Sequence, residues 1–228
     1  MAKIIFHEET KTFHLYNDRI SYLMCVLENG HMGQIYFGKK IHDKPDFSYL
    51  VEKYGRPMTS YIFENDRTFS LEHIRQEYPV YGSTDYRHPA VEILQGSGSR
   101  IVDFRYEGYE ISQGKPELKG LPATYTESGE EAETLKLILK DSVTGCRLEL
   151  LYTIFEGEGA LARSARLINE GKEDLHLLTA MSLNLDLPDK DYIWMQLSGA
   201  WARERHVKNR VLEQGITAVD SRRGNSSH

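Results

Sequence analysis

Aromatic and charged side chains concentrate in one irregular segment, residues 66–92. Pro79, Gly82 and Pro89 interrupt this segment, so a regular element is not expected there. Its aromatic and charged members include Tyr78, Tyr81, Tyr86, Glu77, Asp85, Arg67 and Arg87. Tyrosine rings stack on the C–H face of a pyranose, and carboxylates and guanidinium groups hydrogen-bond adjacent hydroxyls. The segment therefore suits a sugar-facing loop, or else a structured loop whose tyrosines pack and whose charges pair locally.

A second unusual stretch covers residues 199–228. Trp201 lies among small residues, charged residues follow it, and Ser221-Arg222-Arg223-Gly224 is turn-like. On chemistry alone this stretch favours no particular function.

Familiar catalytic and metal-binding motifs are missing from the sequence. There is no GxSxG elbow and no GxxxxGK loop, and the nine histidines form neither HxH nor HExxH spacings. We therefore expect no metal site and no cofactor. Acidic residues are plentiful, but a glycosidase needs two facing carboxylates at a defined gap, and sequence alone cannot place such a pair.

Charge and hydropathy exclude two classes of partner. The formal net charge is −6 and the pI is about 5.9, so there is no basic excess to meet a nucleic acid backbone. The densest basic run, residues 203–210, is interpreted as a solvated face. No apolar stretch is long enough to cross a bilayer.

The N-terminus and the cysteines bear on the compartment. Acidic residues occupy the N-terminus, where a signal peptide would be apolar, so we expect a cytoplasmic protein. Cys25 and Cys146 are expected to be buried free thiols.

Period-two alternation between turn residues is the dominant structural signal. Residues 133–140 alternate around Leu135 and Leu137, residues 141–145 have turn chemistry, and the next run alternates from Leu148 to Ile154, which predicts a hairpin. Residues 175–185 alternate over a length that predicts a bulge or bend. The other predicted strands are residues 12–16, 21–27, 33–37, 90–95, 102–111 and 162–168.

Helical periodicity is almost absent. The best candidate is residues 70–76, a helix of at most two turns that Ser70 could cap. Many strands joined by hairpin turns, without intervening helices, predict an antiparallel sandwich or barrel. The 228 residues fit one large all-β domain or two small ones.

Both unusual stretches closely resemble bacterial family 36 α-galactosidases, the melibiases. The matching blocks occur in the same order and span essentially the whole chain. They are residues 66–71 (DRTFSL), 76–90 (QEYPxYGxTDYRxPA), 119–125 (KGLPATY), 131–135 (EAETL), 163–166 (RSAR), 199–205 (GAWxRER), Glu213 and 221–228 (SRRGxSSH).

The resemblance implies an all-β fold, an antiparallel β-supersandwich of the galactose-mutarotase type, as a single N-terminal domain over residues 1–228. In the family this domain precedes a (β/α)₈ barrel and a small C-terminal β domain. The barrel holds the two catalytic aspartates, one of them in a Lys-Trp-Asp segment, for retaining hydrolysis of terminal α-galactosides. Here Trp194 precedes Met195 and Trp201 precedes Ala202, so that segment is absent. No catalytic residue is therefore expected in this chain.

The resemblance also implies a homotetramer in which this domain shapes a neighbouring subunit's active site and α-galactoside oligosaccharides are the ligands. Arg67 would contact substrate, and Glu52 would do likewise, although residues 47–63 depart from the family pattern. We expect His228 to be a point of truncation and a sheet edge to be exposed, which favours dimerisation or poor solubility. The alternatives are a free-standing carbohydrate-binding module and a purely structural oligomerisation module.

Overall fold

The computed structural model describes residues 2–120 and 123–220. Two one-turn 3-10 helices occur there, at Ser48–Leu50 and Gly129–Glu131, and these residues contain no α-helix. The strands are β1 (Lys3–His7), β2 (Thr12–Tyr16), β3 (Ile20–Val26), β4 (Met32–Lys39), β5 (Val91–Leu94), β6 (Arg105–Gln113), β7 (Ala132–Lys140), β8 (Cys146–Phe155), β9 (Leu161–Asn169), β10 (His176–Ala180), β11 (Ile193–Ala200) and β12 (Arg203–Val211).

Two four-stranded meanders form the body of the fold. The first sheet has the order β1-β2-β3-β4 and the second has the order β6-β7-β8-β9. Every pairing within them is antiparallel. The predicted hairpin is β7–β8, in which Leu137 lies opposite Leu150. At its turn the Asp141 carboxylate accepts a hydrogen bond of 2.9 Å from the backbone N–H of Val143.

The two sheets enclose the main hydrophobic core. Alternate residues of β7 and β8 point inward, and Phe13, Leu15, Tyr22 and Met24 of the first sheet meet them. Second-sheet members of this core include Leu135, Leu137, Leu139, Leu148, Leu150, Tyr152 and Ile154. The all-β antiparallel prediction is therefore confirmed, and its physical basis is the alternation that buries one face of each strand.

Two smaller sheets complete the described structure. β5 pairs with β10, and β11 pairs with β12. The contacts divide the chain into two compact units, Met1–Asp186 and Leu187–His228. Within the second unit, Ile193, Met195 and Leu197 alternate along β11 and are more than half exposed. β12, which includes the basic run, is exposed along its whole length, in agreement with the solvated face inferred from sequence.

The helix predicted at residues 70–76 is wrong. The backbone N–H of Ile74 donates to the Ser70 carbonyl at 3.2 Å, which closes one turn and no more. The chain then extends, because Gln76 forms a bridge with Gly33 of β4. Pairing with a sheet edge requires extended backbone, and this requirement overrides the weak helical propensity of the segment.

The long strand predicted at residues 175–185 is shorter than expected. Its regular part is β10, which carries a register shift between Leu177 and Thr179, so the predicted irregularity is confirmed. β10 ends at Ala180 because its partner β5 has only four residues. The strand β1 was not predicted, since its apolar residues Ile4, Ile5 and Phe6 are consecutive and do not alternate.

Candidate functional site

The long connection between β4 and β5 carries both of the residues predicted to contact substrate. It lies over the outer face of the first sheet, where Leu23, Cys25 and Ile35 point away from the main core. Apolar residues of the connection cover them and form a second core, in which Phe47, Phe69, Leu71 and Ile74 are buried. The connection is therefore anchored by its own hydrophobic cluster, and some of its polar side chains, Glu52 and Arg67 among them, are exposed.

Residues 74–77 form a rigid platform beside β4. The backbone N–H of Gln34 donates to the carbonyl of Arg75 at 3.0 Å, and that of Glu77 donates to the carbonyl of Met32 at 2.9 Å. These bonds extend the edge of the first sheet by a short stretch. A side chain on this stretch is held as firmly as one on a strand.

Arg67 lies on a tight turn at the surface of the connection. The Asp66 carboxylate accepts hydrogen bonds from the backbone N–H and the hydroxyl of Thr68, at 2.8 and 2.7 Å. Both hydrogen bonds lower the pKa of Asp66, and the bond from the Thr68 hydroxyl lowers it more than the bond from the backbone N–H. Arg67 itself is exposed, and across residues 2–120 and 123–220 no hydrogen bond or ion pair engages its guanidinium. Its five donors are therefore free for a ligand.

Glu52 lies on a neighbouring part of the same connection. Its carboxylate is 3.8 Å from the Arg75 guanidinium, and its side chain is 46% exposed. A β-carbon built on Gly55 would lie 3.9 Å from the carbonyl oxygen of Arg67, so the backbones of the two loops are neighbours. The structure thus brings the loops of Glu52 and Arg67 together. The long pair with Arg75 leaves the Glu52 side chain nearly half exposed.

An aromatic stack joins the Glu52 loop to His73, which directly precedes the platform. The rings of Tyr54 and His73 are 4.3 Å apart at an interplanar angle of 26°. The Arg56 guanidinium lies 4.8 Å from the centre of the Tyr54 ring and donates to its hydroxyl. Burial lowers the pKa of His73, and the charge of Arg56 lowers it further. A neutral imidazole stacked on a phenol therefore connects the two segments.

Glu77, by contrast, is sealed inside the sandwich. Its carboxylate accepts hydrogen bonds from the hydroxyls of Tyr22 at 2.8 Å and Tyr152 at 2.7 Å. Arg163 approaches to 3.2 Å, and the Glu77 side chain is 0% exposed. Burial raises the pKa of Glu77, which Arg163 and the tyrosines oppose. No ligand can reach this carboxylate, so it is a structural group and not a candidate acid or nucleophile.

Arg87 is also engaged within the protein. Its guanidinium donates to the Asp85 carboxylate at 2.8 Å and to the carbonyl of Ile74 at 2.7 Å. It also donates to the carboxylate of Asp186 and to the carbonyl of Leu71. These four bonds fix the turn after Leu71 and engage all three guanidinium nitrogens.

The segment at residues 66–92 therefore combines the two interpretations, a structured loop and a surface that could face a sugar. Glu77, Asp85, Arg87 and Tyr78 pack or pair locally, as a structured loop would. Arg67, Tyr81 and Tyr86 remain exposed, with Tyr86 at 74%. The Tyr86 hydroxyl is 3.5 Å from the hydroxyl of Ser60, so this tyrosine lies near the part of the connection that follows Glu52.

Among the described residues, neither a metal cluster nor a reactive thiol adds a second candidate site. In the part of the chain that the structure describes, no three His, Cys, Asp or Glu side chains are placed to hold a metal ion, and no helix is long and apolar enough to span a membrane. Cys25 and Cys146 are buried free thiols, as predicted. Burial raises the pKa of Cys25 to about 12 and that of Cys146 to about 11, so neither is a nucleophile at neutral pH.

Sequence reasoning missed Tyr54, Arg56, His73 and Arg75. The only local signal is the Tyr-x-Arg spacing in residues 54–56 and the His-x-Arg spacing in residues 73–75, which would share one side of the chain if it were extended. That signal is too short to separate from chance. Of the segments that carry the family resemblance, Leu121, Pro122 and residues 221–228 lie outside the described residues.

The fold and the loop surface define a β-sandwich module whose exposed guanidinium, carboxylate and tyrosines suit a polyhydroxylated ligand. A sequence model described as the glycosyl hydrolase family 36 N-terminal domain matches residues 30–228. The chain belongs to glycosyl hydrolase family 36.

Relatives of known activity match along almost the whole chain. Alpha-galactosidase AgaA of Geobacillus stearothermophilus is 42% identical over 99% of this chain and 31% of its own length. Alpha-galactosidase Mel36A of Lactobacillus acidophilus is 36% identical over the same shares. The chain thus spans less than a third of the length of these relatives.

Solved structures agree with this assignment. A variant of AgaA in complex with raffinose superposes with a TM-score of 0.89 at 42% identity, covering 94% of this chain and 30% of that one. The galactosidase domain of the alpha-galactosidase-sucrose kinase AgaSK gives a TM-score of 0.92 at 32% identity, covering 99% of this chain and 31% of that one. AgaSK comes from Mediterraneibacter gnavus.

Proposed function

We propose that this chain is the N-terminal domain of an α-galactosidase that hydrolyses terminal non-reducing α-galactosyl residues, as in melibiose and raffinose, with retention. Membership of family 36 and the alignment with the first third of two alpha-galactosidases support this proposal. Relatives solved in complex with raffinose and with stachyose support the substrate class.

The chain alone is proposed to be inactive. Retaining glycosidases place two carboxyl groups about 5–5.5 Å apart on either side of the scissile bond. Glu77 is the most enclosed acid of the loop region, and its sealed position disqualifies it. Hydrolysis of p-nitrophenyl-α-galactoside, measured for the longer polypeptide and for residues 1–228, tests this directly. We expect turnover by the first and none by the second; enzymatic turnover by residues 1–228 would refute the proposal.

Within the longer enzyme, we propose that Arg67 and Glu52 contact substrate in a site shared with a neighbouring subunit. The observation that carries this role is the unpaired, exposed guanidinium of Arg67 on a connection anchored by a buried cluster. A free guanidinium donates to sugar hydroxyls, and a hydrogen bond to a charged group contributes about 1.5–3 kcal/mol.

Substitution of Arg67 in the longer enzyme tests this role. Losing such a bond should lower kcat/KM for melibiose roughly tenfold or more in Arg67→Ala. Arg166→Ala is the matched control, because Arg166 is an exposed arginine of β9 with one pair, 3.7 Å from Glu149. We expect the control to retain wild-type kcat/KM. An unchanged kcat/KM in Arg67→Ala would remove Arg67 from the site.

A homotetramer and a cytoplasmic location complete the proposal. The apolar face of β11, with Ile193, Met195 and Leu197 more than half exposed, supports self-association. Two buried free thiols and no disulfide among the described residues support a reducing compartment. Light scattering of the longer polypeptide at high concentration should give the mass of four subunits, and a monomeric mass would contradict the oligomer.

The free-standing binding module is the second candidate, because Arg67, Tyr81 and Tyr86 are exposed within this chain itself. Titration of residues 1–228 with raffinose separates the candidates. We expect no saturable binding, since the shared site lacks its other walls. Millimolar or tighter binding that Arg67→Ala abolishes would favour the module.

A further inference from the structure

The loop that carries Glu52 makes few buried contacts of its own. Residues 52–58 are exposed throughout, and Val51 before them is only partly buried. The Lys53 ammonium donates to the Glu28 carboxylate, but both side chains are exposed, so this pair contributes little. A solvent-exposed loop without buried contacts samples several conformations. A carboxylate on such a loop would meet a ligand only part of the time, unless something outside the loop holds it.

Two contacts reach across from the platform to this loop. The His73 ring stacks on Tyr54 at 4.3 Å, and the Arg75 guanidinium lies 3.8 Å from Glu52. Both partners come from the segment that the second core and β4 immobilise: Ile74 between them is 2% exposed. Ile74 is buried in the second core, while its two neighbours His73, at the end of the turn, and Arg75, in the platform, contact the loop.

The stack is better suited than the ion pair to set the loop's position. A pair at 3.8 Å with one partner 46% exposed contributes little. Two rings at 4.3 Å are in full van der Waals contact, and the guanidinium of Arg56 covers the Tyr54 ring as well. Both ring nitrogens of His73 are buried, and neither has a hydrogen-bond partner among the described residues. The imidazole is therefore held by its faces, as a packing element would be.

We propose that His73 is a positioning residue for substrate binding: by stacking on Tyr54 it fixes the loop so that Glu52 lies beside Arg67 and the two engage one saccharide together. The inference rests on the proposed function. His73 touches no substrate; it acts through Tyr54 and thus through Glu52. Its loss weakens saccharide binding and leaves the chemical step in the barrel unchanged.

The test uses the longer enzyme with raffinose and compares His73→Ala, His73→Phe and Glu52→Gln. A stacking contact of this kind supports an effect of about three- to tenfold. We expect His73→Ala to raise KM by that factor with kcat within twofold, and His73→Phe, which keeps a stacking ring, to restore wild-type KM. The double variant His73→Ala/Glu52→Gln should be no worse than Glu52→Gln alone, because residues that act through one another are not additive.

His176→Ala is the matched control, since His176 is an exposed histidine of β10 away from this loop in sequence; we expect wild-type kinetics. An inactive wild-type enzyme would refute the proposed function itself, and an active enzyme whose KM ignores Glu52→Gln would refute the role of Glu52. If Glu52→Gln raises KM but His73→Ala does not, or if His73→Phe fails to rescue, the positioning role is wrong. A fall in kcat at constant KM in His73→Ala would also overturn it.

Discussion

Arg163→Met is expected to destabilise the domain severely, because it removes the positive partner of a carboxylate that solvent cannot reach. Arg163 lies 3.2 Å from Glu77, with side-chain exposures of 9% and 0%. It also donates to the hydroxyl of Tyr152 and to the backbone carbonyls of Glu77 and Asn184. Methionine keeps the unbranched apolar stem of arginine but lacks the guanidinium, so the change removes the charge and its hydrogen bonds while the packing of the stem is retained.

The magnitude follows from the burial of both partners. Breaking a buried ion pair by removing one side costs about 3–5 kcal/mol, because the other charge is left uncompensated. In a domain of about this size, 1 kcal/mol lowers Tm by about 2–4 °C. We therefore expect Tm to fall by roughly 6–20 °C. Urea unfolding followed by circular dichroism should show a lower midpoint with an unchanged slope.

A matched arginine supplies the control. Arg166→Met, three residues along β9, breaks a 3.7 Å pair with Glu149 in which the arginine side chain is 72% exposed. Exposed pairs contribute about 0–1 kcal/mol. The two variants have the same chemistry and differ in burial. If they lose equal stability, or if Arg163→Met stays within about 1 kcal/mol of wild type, the reasoning from buried charge is refuted.

The pH dependence of the same variant gives an independent check. Burial raises the pKa of Glu77, and removing Arg163 removes the main group that opposes this rise. A glutamate with a raised folded-state pKa contributes most stability below its ordinary pKa, and that contribution is lost as pH rises through the folded value. The deficit of Arg163→Met should therefore be smaller in mild acid than at neutral pH. Glu77→Gln in the same background should abolish this trend.

Two further predictions concern a turn glycine and an acidic residue. Gly145 has φ +72°, and a β-carbon there would lie 3.0 Å from the Gly171 Cα, whereas Gly98 has φ +84° and open space around it. Gly145→Ala should therefore lose more stability than Gly98→Ala, which should lose about 1 kcal/mol. Equal losses of stability in chemical denaturation would contradict the steric account. A hydrogen bond from His31 lowers the pKa of Asp103, so its stabilisation is present at neutral pH and lost as pH falls through the lowered value. Asp103→Asn should melt below wild type at pH 7 and converge with it in acid, and a constant difference across a pH series would exclude this linkage.

The strands were predictable from the sequence wherever one face of a strand is buried and the other faces solvent. β7 shows this best: Leu135, Leu137 and Leu139 are buried, the residues between them are not, and the turn chemistry after Lys140 marks its end. β3 was also found, although it is buried on both faces, because turn residues bound its apolar run. β1 failed for want of alternation, and the end of β10 failed because strand length depends on the partner, which local sequence does not reveal.

The residue types of the candidate site were predictable from the sequence, but which of its side chains are exposed was not. The sequence places Arg67, Glu77 and Arg87 in one segment with the chemistry to bind a sugar, and nothing local distinguishes them. The distinction arises from partners far away along the chain: Glu77 meets Tyr152 and Arg163, and Arg87 meets Asp186. Contacts over such separations are set by the packing of sheets, so a pattern read along the chain cannot contain them.

The same buried network explains why Arg67 is the residue that remains available. A carboxylate as deep as Glu77 must be paired and hydrogen-bonded or it destabilises the fold. Its partners come from β3, β8 and β9, so satisfying it ties the platform to both sheets at once. Arg87 then holds the turn at Leu71 against that platform. With Glu77 and Arg87 so engaged, the guanidinium of Arg67 is left exposed on a backbone anchored by the second core, so a ligand that binds it would order the side chain but not the loop.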